Sequence, residues 1–192
     1  MRAAGLTVPV FVTGWQIECC GIPPAEGDGV SWRLDWNPGY ATILPTDFAL
    51  TARLERMPPL DPDTWYADGR QLPGSESAPA IARAGPLSVF VCAPLPIPAE
   101  IRLTGVLHED HHIDSPPETP LTTGRIARVR LVSWDYRQLD DRGWEAVDGS
   151  AQLTDVWAAP KHMPRTSPRR GALRWRQISD VLVDLEIGAP PW

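Results

Sequence analysis

Proline sets the first constraint on this chain: 22 of its 192 residues are prolines, about twice the ordinary usage of ~5%. They recur along the chain, at Pro23-Pro24, Pro58-Pro59, Pro94, Pro96, Pro98, Pro116-Pro117 and Pro190-Pro191. Each lacks a backbone donor and drives the residue before it out of the helical region, which favours short extended segments joined by turns. A mainly β fold is expected, with at most one or two short helices.

The hydrophobic pattern agrees. Residues 30–36 (Val-Ser-Trp-Arg-Leu-Asp-Trp) alternate apolar and polar without a fault, as a strand with one buried face does. Asn37-Pro38-Gly39-Tyr40 follows with Pro and Gly where a type II turn needs them, and residues 40–44 can return as a partner strand. Residues 8–17 are rich in Val, Phe, Thr and Trp and are predicted as a strand leading into a Cys-Cys-Gly corner. One helix is predicted over 46–57: Thr46 caps it, Leu50, Leu54 and Met57 share a face, and Pro58 ends it. Residues 58–86 are dominated by Pro, Gly, Ser, Asp and Ala and suggest an irregular connection. Further strands are expected at 87–91, 101–107, 126–136, 152–157 and 180–187. The implied organisation is an N-terminal β unit over 1–57, a connection over 58–86 and a C-terminal β unit over 87–192. The expected architecture is one or two small antiparallel barrels, SH3-like or OB-like.

Charge and composition narrow the function classes. With 43% hydrophobic and 22% charged residues the chain has the makings of a folded core. A net charge of −6 makes a polyanion an unfavourable partner, so nucleic acid is not expected, and Arg165, Arg169 and Arg170 are read as a solvated loop. No window approaches the ~18–20 apolar residues of a membrane span. Three cysteines cannot all pair, and residues 1–13 lack the apolar stretch of a secretory signal; a reducing cytoplasm is the expected compartment.

Three groups of residues are candidates for chemistry. In Trp15-Gln16-Ile17-Glu18-Cys19-Cys20-Gly21, two cysteines on an extended backbone point to opposite faces. Cys19 and Cys20 are then poor joint ligands for one ion, and one is expected inside as a core thiol; a nucleophilic or metal-binding thiol is the alternative. The run His108-Glu109-Asp110-His111-His112 gathers the ligand types that zinc or another divalent transition metal takes. If strand 101–107 continues, its odd positions Ile101, Leu103 and Leu107 face the core. His108, Asp110 and His112 then share the other face, with Glu109 and His111 on the core side. His108 and His112 would stand roughly 13 Å apart on a straight strand. A bend, or a ligand from Cys19 or Cys20, is needed to close that set. Of nine tryptophans, Trp15, Trp32, Trp36 and Trp134 are expected in the core, and Trp65, Trp144 and Trp157 are candidates for a ligand-binding face.

No nucleophile elbow, phosphate-binding Gly-rich loop or dinucleotide fingerprint is present in the sequence. Two segments carry a resemblance: the Trp-Gln-x-x-Cys-Cys-Gly start at 15–21, and Gly27-Asp28-Gly29-Val30-Ser31-Trp32. In these the chain resembles an uncharacterised actinobacterial family, a domain of unknown function. The resemblance implies no activity or catalytic residue. The function expected is a non-catalytic interaction or accessory module that takes a protein or small molecule and needs no cofactor. The alternative is a metal-binding protein, such as a metal-dependent hydrolase, built on the 108–112 cluster.

Overall fold

The structure is a computed structural model that describes residues 5–41, 43–44, 46–58, 77–109, 115–140, 143–164, 166–168 and 172–188, the side chains of 40, 41 and 140 excepted. Those residues form a mainly β fold. Strand β1 (Leu6–Thr13) and helix α1 (Gly14–Cys19) lead into β2 (Gly29–Trp32), β3 (Leu34–Trp36) and the short helix α2 (Pro38–Ala41). Then come β4 (Ala49–Arg56), β5 (Ser77–Ala84), β6 (Leu87–Pro94), β7 (Glu100–Thr104) and β8 (Leu107–Glu109). The series ends with β9 (Thr122–Asp140), β10 (Gly143–Ala146), β11 (Gln152–Val156) and β12 (Arg174–Ile187).

The strands join in one sheet of order β10-β9-β12-β1-β8-β3-β6-β5-β4-β7, with β11 and β2 also paired to β9. This ladder has two free ends, so it is open; the closed SH3-like or OB-like barrel expected from sequence is not what the backbone ladder forms. Most pairings are antiparallel, but β1–β8 and β3–β6 are parallel. The sheet nevertheless curls. The Thr122 hydroxyl of β9 accepts from the Ser88 amide of β6 at 3.0 Å and donates to the Ser88 carbonyl at 2.9 Å, a side-chain clasp between strands that share no ladder.

Inside the curl lies the main core. Val8, Val10 and Val12 of β1 meet Leu87, Val89 and Val91 of β6, Leu107 of β8, and Val181, Val183, Leu185 and Ile187 of β12. Val30, Trp32, Leu34 and Trp36 all join this core, as their alternation predicts, although a break at Arg33 makes them two strands with different partners. A second cluster, Phe11, Leu44, Val106, Val132, Trp134 and Leu182, covers the other face of β1, β9 and β12. Those strands are therefore buried on both sides.

Several sequence expectations change. Residues 49–56 form a strand and not a helix: Leu50 and Leu54 satisfy a spacing of four in either structure, and the buried Ala52 between them fits only a period of two. Asn37-Pro38-Gly39 opens a helix in place of a type II turn. The Asn37 Oδ1 accepts the Gly39 amide at 2.8 Å and Pro38 takes the first helical position, where a missing N–H costs nothing. Ile43 and Leu44 lie in no strand. The strand from residue 8 stops at Thr13, because Gly14 starts α1. Residues 77–84, placed by sequence in the irregular connection, are β5, paired with β4 and β6.

Candidate functional site

A cleft of about 800 Å³ opens on the face of the second cluster, at the C-terminal end of β1. Phe11 and Thr13 of β1, Trp15 and Gln16 of α1, and Trp134 and Tyr136 of β9 form much of its wall. His108, Asp35 and Asp180 enter from β8, β3 and β12. The volume is in the range of small-molecule sites.

Asp180 is the best-defined polar group in it. Its Oδ1 accepts the Gly14 amide at 3.2 Å and its Oδ2 accepts Trp134 Nε1–H at 3.2 Å and the neighbouring Ser179 hydroxyl. All three donors are neutral. Burial pushes the Asp180 carboxyl above its ordinary range, and the hydrogen bonds pull the other way without restoring it. The same carboxylate thus supplies the amide at the start of α1 with a partner that Thr13, at the cap position, does not provide.

His108 packs its ring on Phe11, with centroids 5.3 Å apart, and burial lowers its pKa to about 4. It is neutral at physiological pH. Leu103 and Leu107 are fully buried in the main core, but the strand expected over 101–107 breaks after Thr104, where Gly105 takes a positive φ, so they belong to two strands with different partners; Glu109 is also buried. Asp110, His111, His112 and Trp65 lie outside the described residues. Among the described residues, no three of His, Cys, Asp and Glu come together to hold a metal ion.

Cys19 and Cys20 correct their expected placement. They close a helix and are not on an extended strand, so their thiols do not diverge: both are exposed, and Cys19 hydrogen-bonds Cys20. Neither is a core thiol. Local desolvation and Cys19 hold the Cys20 thiol above its ordinary range, against the pull of Lys161, and Glu109 adds to the rise. Lys161, the single lysine, donates to the carbonyls of Ile17 at 2.6 Å and Gly21 at 2.9 Å and so pins this end of α1.

The model of a family of unknown function, DUF6578, matches residues 6–187. The chain belongs to this family. The matched span begins and ends on one ladder pair, Leu6 of β1 opposite Ile187 of β12, so the DUF6578 unit coincides with the strand-bounded fold. Neither the curated proteins nor the solved structures give a match.

Within this DUF6578 fold the tryptophans divide. Trp32, Trp36 and Trp134 pack inward as expected, whereas Trp15, on α1, is exposed at the cleft. Trp144 is engaged edge-on with Trp175, which in turn meets Tyr136. Trp157 is 71% exposed and lies apart from the cleft. A second cleft of about 510 Å³ lies under Ile22, Pro23 and Val30, and Gln16 and Glu109 line both clefts. Sequence reasoning missed Asp180, Gln16 and Thr13. One signal for Asp180 was present: Leu182 sits two residues on along the same face, which marks that face as covered and not wet.

Proposed function

We propose that this DUF6578 chain is a non-catalytic binding module that takes a small organic ligand in the larger cleft. The observation that carries this reading is the pairing of aromatic walls with a desolvated carboxylate in a cleft of ligand size. The state of the titratable groups supports the absence of catalysis. His108 is neutral and packed in a tilted contact on Phe11, and the Cys20 thiol is raised, where a nucleophilic cysteine needs the opposite shift. The free cysteines agree with a reducing, cytoplasmic setting. Nucleic acid is an unsuitable partner, since Arg128, Arg130, Arg137 and Arg176 are each engaged by a carboxylate of a neighbouring strand. Among the described residues, no helix is long and apolar enough to cross a membrane.

The test is a ligand-observed NMR screen of small aromatic and aliphatic compounds, repeated on Trp15→Ala. Hits that lose affinity in the variant support the cleft; a screen in which no hit responds to the substitution overturns it.

The metal reading keeps one supporting observation: Cys20 feels the charge of Glu109, so the first cysteine motif and β8 do approach each other. A metal-dependent hydrolase would need Asp110, His111 or His112 to complete a set with His108 and a cysteine. Metal analysis of the purified protein decides it, and less than about a tenth of an equivalent of transition metal would remove that reading.

A further inference from the structure

We infer that the ligand of the larger cleft is a small organic ammonium, a protonated amine that carries its own N–H donors. The inference rests on the binding-module reading above and adds the chemical class. Three independent features converge on it.

The first is charge. Asp180 is desolvated and, among the described residues, its hydrogen bonds come from an amide, an indole and a hydroxyl, none of which balances its charge. Asp148 lies at the same cleft, and no lysine or arginine is among the described residues that line it. A carboxylate desolvated without a cation is stabilised by a ligand that brings one.

The second is the wall. Trp134 lies beside Asp180, Tyr136 lines the same cleft, and Trp15 stands exposed at the edge. Aromatic faces attract an ammonium, more strongly when it is desolvated, whereas they repel an anion. An aromatic cleft lined by the carboxylates of Asp180 and Glu109 therefore discriminates by sign of charge.

The third is a pair of unmet oxygens. Gln16 is only 4% exposed and lines the cleft, yet its Oε1 has no hydrogen-bond partner among the described residues; the Thr13 Oγ1, also at the cleft, is likewise buried and unpartnered. A buried acceptor without a donor is destabilising, and a ligand N–H would satisfy it. This separates a protonated amine from a quaternary ammonium, which has charge but no donor.

Titration of the full chain by tryptophan fluorescence and calorimetry at pH 7.5 tests the class with four probes of one shape. They are phenethylammonium, phenethyltrimethylammonium, the neutral phenylethanol and the anionic phenylacetate. The protonated amine is expected to bind at least about tenfold more tightly than each of the others, the loss expected for a hydrogen bond to a charged group. Asp180→Asn keeps the shape and one of the two acceptor oxygens, for Gly14 or for Trp134, and is expected to abolish the preference for the amine over the alcohol. Trp15→Ala, at a position 56% exposed, is expected to weaken the amine by several-fold. Leu173→Ala, exposed and outside the cleft, is expected to leave it unchanged. Equal affinity for amine and alcohol, or for amine and quaternary ammonium, overturns the inference while the binding module stands. Failure of all four probes to saturate at about 10 mM overturns the inference, and the NMR screen then decides the module separately.

Discussion

His108 shows how one residue's surroundings decide its chemistry. Its ring lies on Phe11 and is largely withdrawn from water, so the folded state prefers the neutral imidazole and the pKa falls from 6.5 to about 4. The unfolded chain binds the proton more readily, so stability is fully present above pH 6.5 and declines as the pH falls through that value toward about 4. The loss is at most about 3 kcal/mol. Asp180 works in the other direction: its raised pKa penalises the charged form, so its contribution improves as the pH falls below that raised value toward 3.8. Urea unfolding of His108→Phe across pH 4–7 is expected to show a flatter or reversed slope than the parent, and a slope unchanged from the parent would contradict the burial argument. The thiols give a second residue-scale expectation. In a Cys92→Ser background, Cys19→Ala removes the partner that holds the Cys20 thiol up, so Cys20 is expected to react faster with a disulfide reagent at pH 8. A slower reaction would mean that Cys19 favours the Cys20 thiolate and would contradict this reading.

Helix α1 is held against β12 by the absence of a side chain. A Cβ on Gly14 would lie 1.9 Å from the Ser179 carbonyl oxygen, a backbone clash that no side-chain relaxation can open, and 2.8 Å from Met163 Cγ. Gly14→Ala is expected to cost about 1–3 kcal/mol in urea unfolding. Gly143→Ala, where nothing lies within 4 Å of the new carbon, is expected to stay within about 0.5 kcal/mol of the parent. The contact also explains why this element was hard to read. Gly14 is the local break signal in residues 8–17, but a lone glycine fits a bulge as well as a helix start, and the partner that accepts its amide, Asp180, is distant in sequence. Where burial follows from a strict period of two, as at residues 30–36 and 181–187, the sequence was sufficient. At 49–56 it was ambiguous because four is a multiple of two and close to a helical turn, and at 37–41 because Asn-Pro-Gly serves a turn and a helix start equally well. The candidate site was the least legible part. His108 was visible by its type and period, but Asp180, Thr13 and Gln16 matter through neighbours that only the folded sheet supplies.

Across the whole molecule, the chain's first strands are placed between its last ones. β1 lies between β12 and β8, and β3 between β8 and β6, so the core needs both ends of the chain before any part of it is complete. β9 acts as the spine: β12 pairs along one edge, and β2, β11 and β10 follow one another along the other. Arginines on it meet carboxylates of the strands beside it, Arg128 with Asp155, Arg130 with Asp184 and Arg137 with Glu145, which fixes the register of those neighbours. β9 and β6 share no ladder pairing, and the Thr122–Ser88 clasp links them directly across the curl. Thr122 is fully buried and Ser88 is 3% exposed, so neither backbone group of Ser88 can turn to water if the hydroxyl is lost. Thr122→Val preserves shape and removes both bonds, and it is expected to cost about 1–3 kcal/mol for each orphaned group. Thr122→Ser keeps the hydroxyl and is expected to lose only the methyl's packing, about 1 kcal/mol. Because the ends interleave, both variants are expected to unfold in a single transition, with amide exchange accelerated together in β6 and β9. If the two substitutions cost the same, the hydroxyl does not hold the curl; if exchange rises in β9 alone, β6 is held by β3 and β5 and not by the clasp.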